Sequence, residues 1–190
     1  MIDVCPLLCY NKAITTGSGA GELKRLAFWM SYVIEFTVCA FCGWLYEEAL
    51  ELIVNHAYAD RGVLHLPLLP IYGFGGLLVI LLFRRQNHPL FVFAVSTIAT
   101  TVLELAASYP LERILGYLPW YYGAWPLNFE GRISLPSSLI FGGLALLLVN
   151  VVHPLCRKLE RAPGLPVTAV GVILGGAILA DAAVTFLAKG

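Results

Sequence analysis

The chain has 190 residues, 59% hydrophobic and 13% charged, and its 12 basic residues balance 12 acidic ones. With a mean hydropathy of +0.80, this composition excludes a soluble domain and describes a polytopic membrane protein. Zero net charge gives no reason to expect a nucleic-acid partner, and the lipid bilayer is the first partner expected.

A window of roughly 19 residues predicts five apolar spans, at residues 26–54, 67–83, 90–109, 134–153 and 167–187. The expected fold is therefore all-α: one transmembrane helical bundle over residues 26–190, with no room for a soluble domain and a short cytoplasmic tail over 1–25. The apolar part of that tail, residues 4–10, is too short for a secretory signal and precedes Lys12, Lys24 and Arg25. Residues 17–24, GSGAGELK, lack the spacing of a phosphate loop and follow no strand. They read as a flexible linker, so ATP hydrolysis through a P-loop is not expected within this chain.

The first span carries Glu35 in its inner half, then Cys39 and Cys42, which read as small apolar residues. Trp44, Glu47, Glu48 and Glu51 follow at i+3, i+4 and i+7, so one helical stripe bears them together. Arg61 lies in the loop that follows. The second span opens on Pro67, Pro70 and Tyr72 and is rich in glycine at Gly73, Gly75 and Gly76. Those glycines permit close helix packing or a broken helix whose N-terminus could face an anion. On the third span Glu104, Ser108 and Glu112 form a second stripe, next to Arg113. The fourth begins with Pro136, Ser137 and Ser138, and the fifth carries Gly171-x-x-x-Gly175 and Asp181.

Between the third and fourth spans runs WYYGAWPLNFEGRI, residues 120–133, aromatic, polar and charged between strongly apolar runs. Aromatic belts collect at interfaces for amphipathic reasons alone. The addition of Pro126, Asn128, Gly131 and Arg132 to Trp120, Tyr121, Tyr122 and Trp125 predicts a folded interfacial or re-entrant element, because irregular backbone at membrane depth needs protein partners.

Eight basic residues fall on the side of the tail and the loops at 84–85 and 157–161, against Arg61, Arg113, Arg132 and Lys189 on the other. The positive-inside rule then places the N-terminus in the cytoplasm and the C-terminus outside. Glu47, Glu104, Glu112, Arg61 and the 120–133 loop share the outer side. An ionised carboxylate at the bilayer centre costs about 2.5 to 3.5 kcal/mol on insertion scales. The two acidic stripes are accordingly expected to face each other, Arg61 or Arg132. Such pairs could equally serve as inter-helix glue. His56, His65, His88 and His153 lack ligand spacing, and no hydrolase or metalloprotease motif is present. No metal or cofactor is expected, and enzymatic activity is left open.

Gly43-Trp-Leu-Tyr-Glu47, Arg61-Gly-Val-Leu64, Pro70-Ile-Tyr-Gly-Phe-Gly75, Leu103-Glu104 with Leu111-Glu112, and Trp120-x-Tyr122-x-x-Pro126-x-Asn128-x-x-Gly131-Arg-Ile133 occur together and in order. Over residues 35–150 the chain thereby resembles the ABC-transporter type IV permease family of bacterial multi-pass membrane proteins. That resemblance implies an inner-membrane location and a membrane component of small-solute or lipid-like transport, served by a separate soluble ATPase. Association of further copies of the chain is left open. The family pattern usually reads W-D-Y-S where Trp120-Tyr121-Tyr122-Gly123 stands, with an aromatic at the position of Leu127 and a Trp at that of Phe141. If the missing acid caps Arg132, Glu130 can take its place.

Glu47, Arg61, Tyr72, Glu104, Glu112, Trp120, Tyr122, Asn128 and Arg132 are thus the candidates for a substrate-binding or polar-network site. Two further classes remain beside transport. One is a membrane enzyme or lipid-binding protein that clamps a phosphate-bearing lipid or isoprenoid head group between Arg61 and Arg132, with Glu47, Glu104 or Glu112 as acid or base. The other is a non-catalytic assembly or sensing partner.

Overall fold

The computed structural model describes residues 19–56, 62–83, 88–158 and 164–187. Its helices are α1 (Gly19–Asn55), α2 (Pro70–Leu82), α3 (Pro89–Leu115), α4 (Leu135–Leu147), α5 (His153–Cys156) and α6 (Gly164–Leu187), and a short hairpin, β1 (Asn128–Phe129) and β2 (Ile133–Ser134), separates α3 from α4. Pro70, Pro89 and Pro136 stand in the first turns of α2, α3 and α4, where a missing N–H leaves no helical bond unmade. Ser134 caps α4 in a reciprocal box with Ser137. Gly116 closes α3 at φ 76°. Between α4 and α5 the helix widens into a π-helical turn at Leu148–Val152, next to Pro154, which has no N–H to continue the α ladder.

Among the described residues, four helical stretches are long and apolar enough to cross a membrane: Gly21–Ile53, Pro89–Leu115, Leu135–Cys156 and Pro166–Leu187. The expected span at 67–83 is different. Its helix has 13 residues and rises about 20 Å, short of a hydrocarbon core of about 30 Å. The helix of the first span, conversely, starts at Gly19, so the last part of the expected tail is helical.

Neighbouring residues fix the directions of the helices. Gly171 abuts Met30 and Gly175 faces Val33, so α6 runs parallel to α1, on which it packs. Thr101 bonds Ser138 and Gly142 meets Thr97, making α3 and α4 antiparallel. Glu35 reaches His153, while Tyr72 stacks edge-on to Phe141 and would collide with a side chain at Gly43; α4 therefore descends along α1.

The non-helical stretch 62–69 lies beside this bundle, with Leu64, Leu68 and Leu69 buried. Three of its backbone amides find partners within the protein, as irregular backbone among membrane helices requires. Leu69 N–H donates to the carbonyl of Ala40 at 3.1 Å and Leu68 N–H to that of Leu66 at 2.7 Å. Leu66 N–H donates to Asp181 on α6 at 2.8 Å. The main core cluster sits where α1, α2, α3 and the π-helical turn meet, around Cys39, Val79, Ile80, Phe83, Val92, Ala145, Leu148 and Val149. Glycine permits the close contacts: Gly73 lies against Phe36 and Gly76 against Cys39, whereas Gly143 and Gly176 face open space. Ile98, Val102, Ile173 and Leu179 point outward, as suits lipid.

Candidate functional site

The loop 120–133 is a folded cap. Trp125 N–H donates to the carbonyl of Tyr122 at 2.8 Å, Tyr122 N–H to that of Gly131 at 2.7 Å, and Arg132 N–H to that of Phe129 at 2.9 Å. Asn128 ties the turn from both sides, its amide donating to the carbonyl of Trp125 at 2.9 Å and its oxygen accepting from Gly131 N–H at 3.2 Å. The hairpin pairs Asn128 with Ser134 and Phe129 with Ile133. Leu127, Glu130 and Gly131 take positive φ, of 51°, 53° and 68°, a strain for the two non-glycines that the surrounding bonds hold in place. Trp120 donates its indole N–H to the carbonyl of Arg132 at 2.9 Å.

Arg132 fastens the cap to α3. Its guanidinium reaches Glu112 at 2.5 Å, Glu130 at 3.2 Å and the hydroxyl of Ser108 at 3.3 Å, and lies 4.3 Å from the centre of the Tyr109 ring. The bond to Glu112 holds the guanidinium above its usual pKa. Tyr109 also donates to Glu130 at 3.1 Å. Glu112 and Ser108 belong to the second acidic stripe, and Arg132 covers both.

Deeper in the bundle two carboxylates each accept a tyrosine hydroxyl. Tyr72 donates to Glu47 at 2.5 Å, joining α2 to α1, and Tyr122 donates to Glu104 at 2.8 Å, joining the cap to α3. Burial, and Glu104 beside it, push the Tyr122 phenol far above its ordinary pKa, so it keeps its proton and acts as donor. Glu104 is only 3% exposed, and its second oxygen, Oε2, has no hydrogen-bond partner among the described residues.

These groups border a cavity of about 530 Å³ whose lining includes Glu47, Glu51, Tyr72, Glu104, Trp120, Tyr122, Trp125 and Ser137 among many apolar side chains. A smaller cavity of about 130 Å³, lined by Cys39, Cys42, Gly43, Thr100 and Leu148 among others, shares Tyr46, Tyr72, Glu104 and Phe141 with it. Glu104 thus stands at the junction of both.

Of the candidate residues, Glu47, Tyr72, Glu104, Trp120 and Tyr122 come together on the larger cavity. Asn128 and Arg132 build the cap, and Glu112 on α3 receives the Arg132 guanidinium that closes it onto that helix. Arg61 lies outside the described residues.

Two histidine-centred polar clusters were not anticipated from the sequence. His153 and Glu35 meet at 2.5 Å, with side chains 12% and 4% exposed. His65 meets Asp181 at 2.8 Å and Thr185 at 3.1 Å. The signal available was that intramembrane Glu35 and Asp181 each need a partner. Separations of 118 and 116 residues hid which partner that was.

A bundle of long apolar helices, with the buried Glu104 and the half-buried Glu47 and Glu51 bordering a cavity, defines a polytopic membrane protein. A model of the family described as Putative ABC-transporter type IV matches residues 34–186, and the chain belongs to that family. No curated protein and no solved structure matches it.

Proposed function

We propose that this chain is the membrane subunit of a bacterial inner-membrane transport system, a permease working with a separate soluble ATPase, and that the larger cavity holds a small-solute or lipid-like substrate. The observation that carries this reading is the cavity itself. Its volume of about 530 Å³ is in the range of ligand sites, which are mostly apolar with a few convergent polar groups. Family membership supports the ATPase partner.

The enzyme reading draws less support. A phosphate clamp needs free guanidinium donors, and Arg132 already directs Nε, Nη1 and Nη2 at Glu130, Ser108 and Glu112.

The test is purification of the tagged chain from native membranes in mild detergent, with mass spectrometry of bound proteins and bound small molecules. An ATPase bearing Walker motifs should co-purify, together with a small molecule that is lost when Ile140→Trp fills the cavity. Recovery of neither would overturn the transport reading. Recovery of lipid turnover products without an ATPase would favour the enzyme.

A further inference from the structure

Resting on that reading, we propose that the occupant of the larger cavity is a bilayer lipid, seated with one hydrocarbon chain along α1, its polar end on the side of the cap and its methyl end at Phe36. The lining is graded along its length. Glu47 and Glu51 of α1, Ser137 of α4 and Trp120 and Trp125 of the cap border one end. Phe36, Phe74, Ile178 and Leu179 border the other. Phe74 meets Phe36 edge-on at 5.0 Å. Gly175 faces Val33, so Ile178 and Leu179, about one turn farther along the parallel α6, stand level with Phe36 and Thr37. Among the described residues this second end brings no polar side chain to the cavity.

The apolar end opens to the membrane. α2 and α6 each pack on α1 but scarcely on each other, and Phe74 on α2 is 58% and Leu179 on α6 72% exposed. Leu179 belongs to a stretch long and apolar enough to cross the bilayer, so hydrocarbon is what meets it there. A void lined by apolar groups gives water no partners, and one continuous with the bilayer fills from it. Its length suits a lipid. Positions 36 and 51 of α1 are 15 residues apart, about 22 Å along the axis. One leaflet supplies about half of a hydrocarbon core of about 30 Å, so an extended chain fits with several ångströms left at the cap for a head group.

The full chain in nanodiscs of phosphatidylethanolamine and phosphatidylglycerol tests this with two phosphatidylethanolamine probes, one bearing a diazirine at the methyl end of a chain and one beside its ester. A water-soluble diazirine alcohol is the third probe. Photolysis and peptide mass spectrometry read which residues each probe reaches. The methyl-end probe should label Phe36 and Ile178, and the ester-side probe Tyr122 and Trp125. Ile98 and Val102, on the outward face of α3, report the ordinary surrounding lipid.

Ile140→Trp, which fills the cavity, should lower both sets of labels by about tenfold relative to those at Ile98 and Val102. Ala182→Phe, on the α6 wall, serves the same purpose should the tryptophan variant fail to fold. Labels confined to outward residues such as Ile98 and Val102 would overturn the proposal. So would the opposite order of the two lipid probes, labels at Phe36 and Tyr122 that neither filling variant lowers, or a cavity reached by the water-soluble alcohol alone. The outcomes stay separable from the transport reading. A co-purifying ATPase without these labels removes only the lipid assignment, and the labels without an ATPase remove only the transport role.

Discussion

At the scale of single residues, the departures from the family pattern at positions 121 and 123 are one feature. The Tyr121 ring lies over Gly123 and Gly131, and a Cβ at either glycine would overlap it. With the Tyr121 ring in this place, a glycine at 123 is favoured over a residue with a side chain. Tyr121 is 73% exposed, so the ring can swing away at modest cost. Gly123→Ser is expected to destabilise the chain by about 0.5 to 1 kcal/mol and to be nearly neutral in a Tyr121→Asp background, as read by a double-mutant cycle of thermal unfolding in detergent. Additive effects would show the two positions to be independent. Trp120→Phe should cost about 1 kcal/mol through the lost bond to the Arg132 carbonyl, measured in the same way.

At the scale of elements, the stretch 62–69 with α2 replaces the long second span. Pro67 and Pro70 keep the chain from starting a helix earlier, and Asp181 receives the Leu66 N–H that a helix would otherwise have satisfied. Asp181→Leu leaves that donor without its acceptor. The expected loss is about 1 to 3 kcal/mol, with faster amide exchange confined to residues 64–69 before any change in α3 or α4; exchange unchanged there would show that Asp181 does not hold the segment. The glycines beside this element act through space. Gly43→Val drives a side chain into the Tyr72 ring, at a cost of about 1 to 3 kcal/mol. It should also break the Tyr72–Glu47 bond, seen as altered tyrosine absorbance.

At the scale of the whole molecule, α1 and α6 run parallel while α4 opposes them, the pattern of a chain whose first and last crossings share a direction. Combined with the basic residues of the 84–85 and 157–161 loops, this supports a cytoplasmic N-terminus and an external C-terminus. A reporter that fluoresces only in the cytoplasm should then shine when fused to the N-terminus and stay dark at the C-terminus. Fluorescence at both ends would mean an even number of crossings.

Hydropathy alone determined the membrane class, the helical bundle and four of its long helices, because water expels apolar residues in runs whose length the bilayer sets. Helical spacing also placed Glu104, Ser108 and Glu112 on one stripe, since i, i+4 and i+8 depend only on local geometry. Pairings across the bundle needed the tertiary structure. Nothing local says that Glu104 accepts from Tyr122 while Arg132 takes Glu112, because each acid could satisfy itself with several donors. The 120–133 stretch showed in sequence only that it is folded; Asn128 and Trp120 add side-chain bonds, but the strand pairing itself uses carbonyls and amides every residue owns, and those carry no residue-specific signal. The cavity is the extreme case: it is the space that packed helices leave unfilled, a property of how they cross and of no residue taken alone.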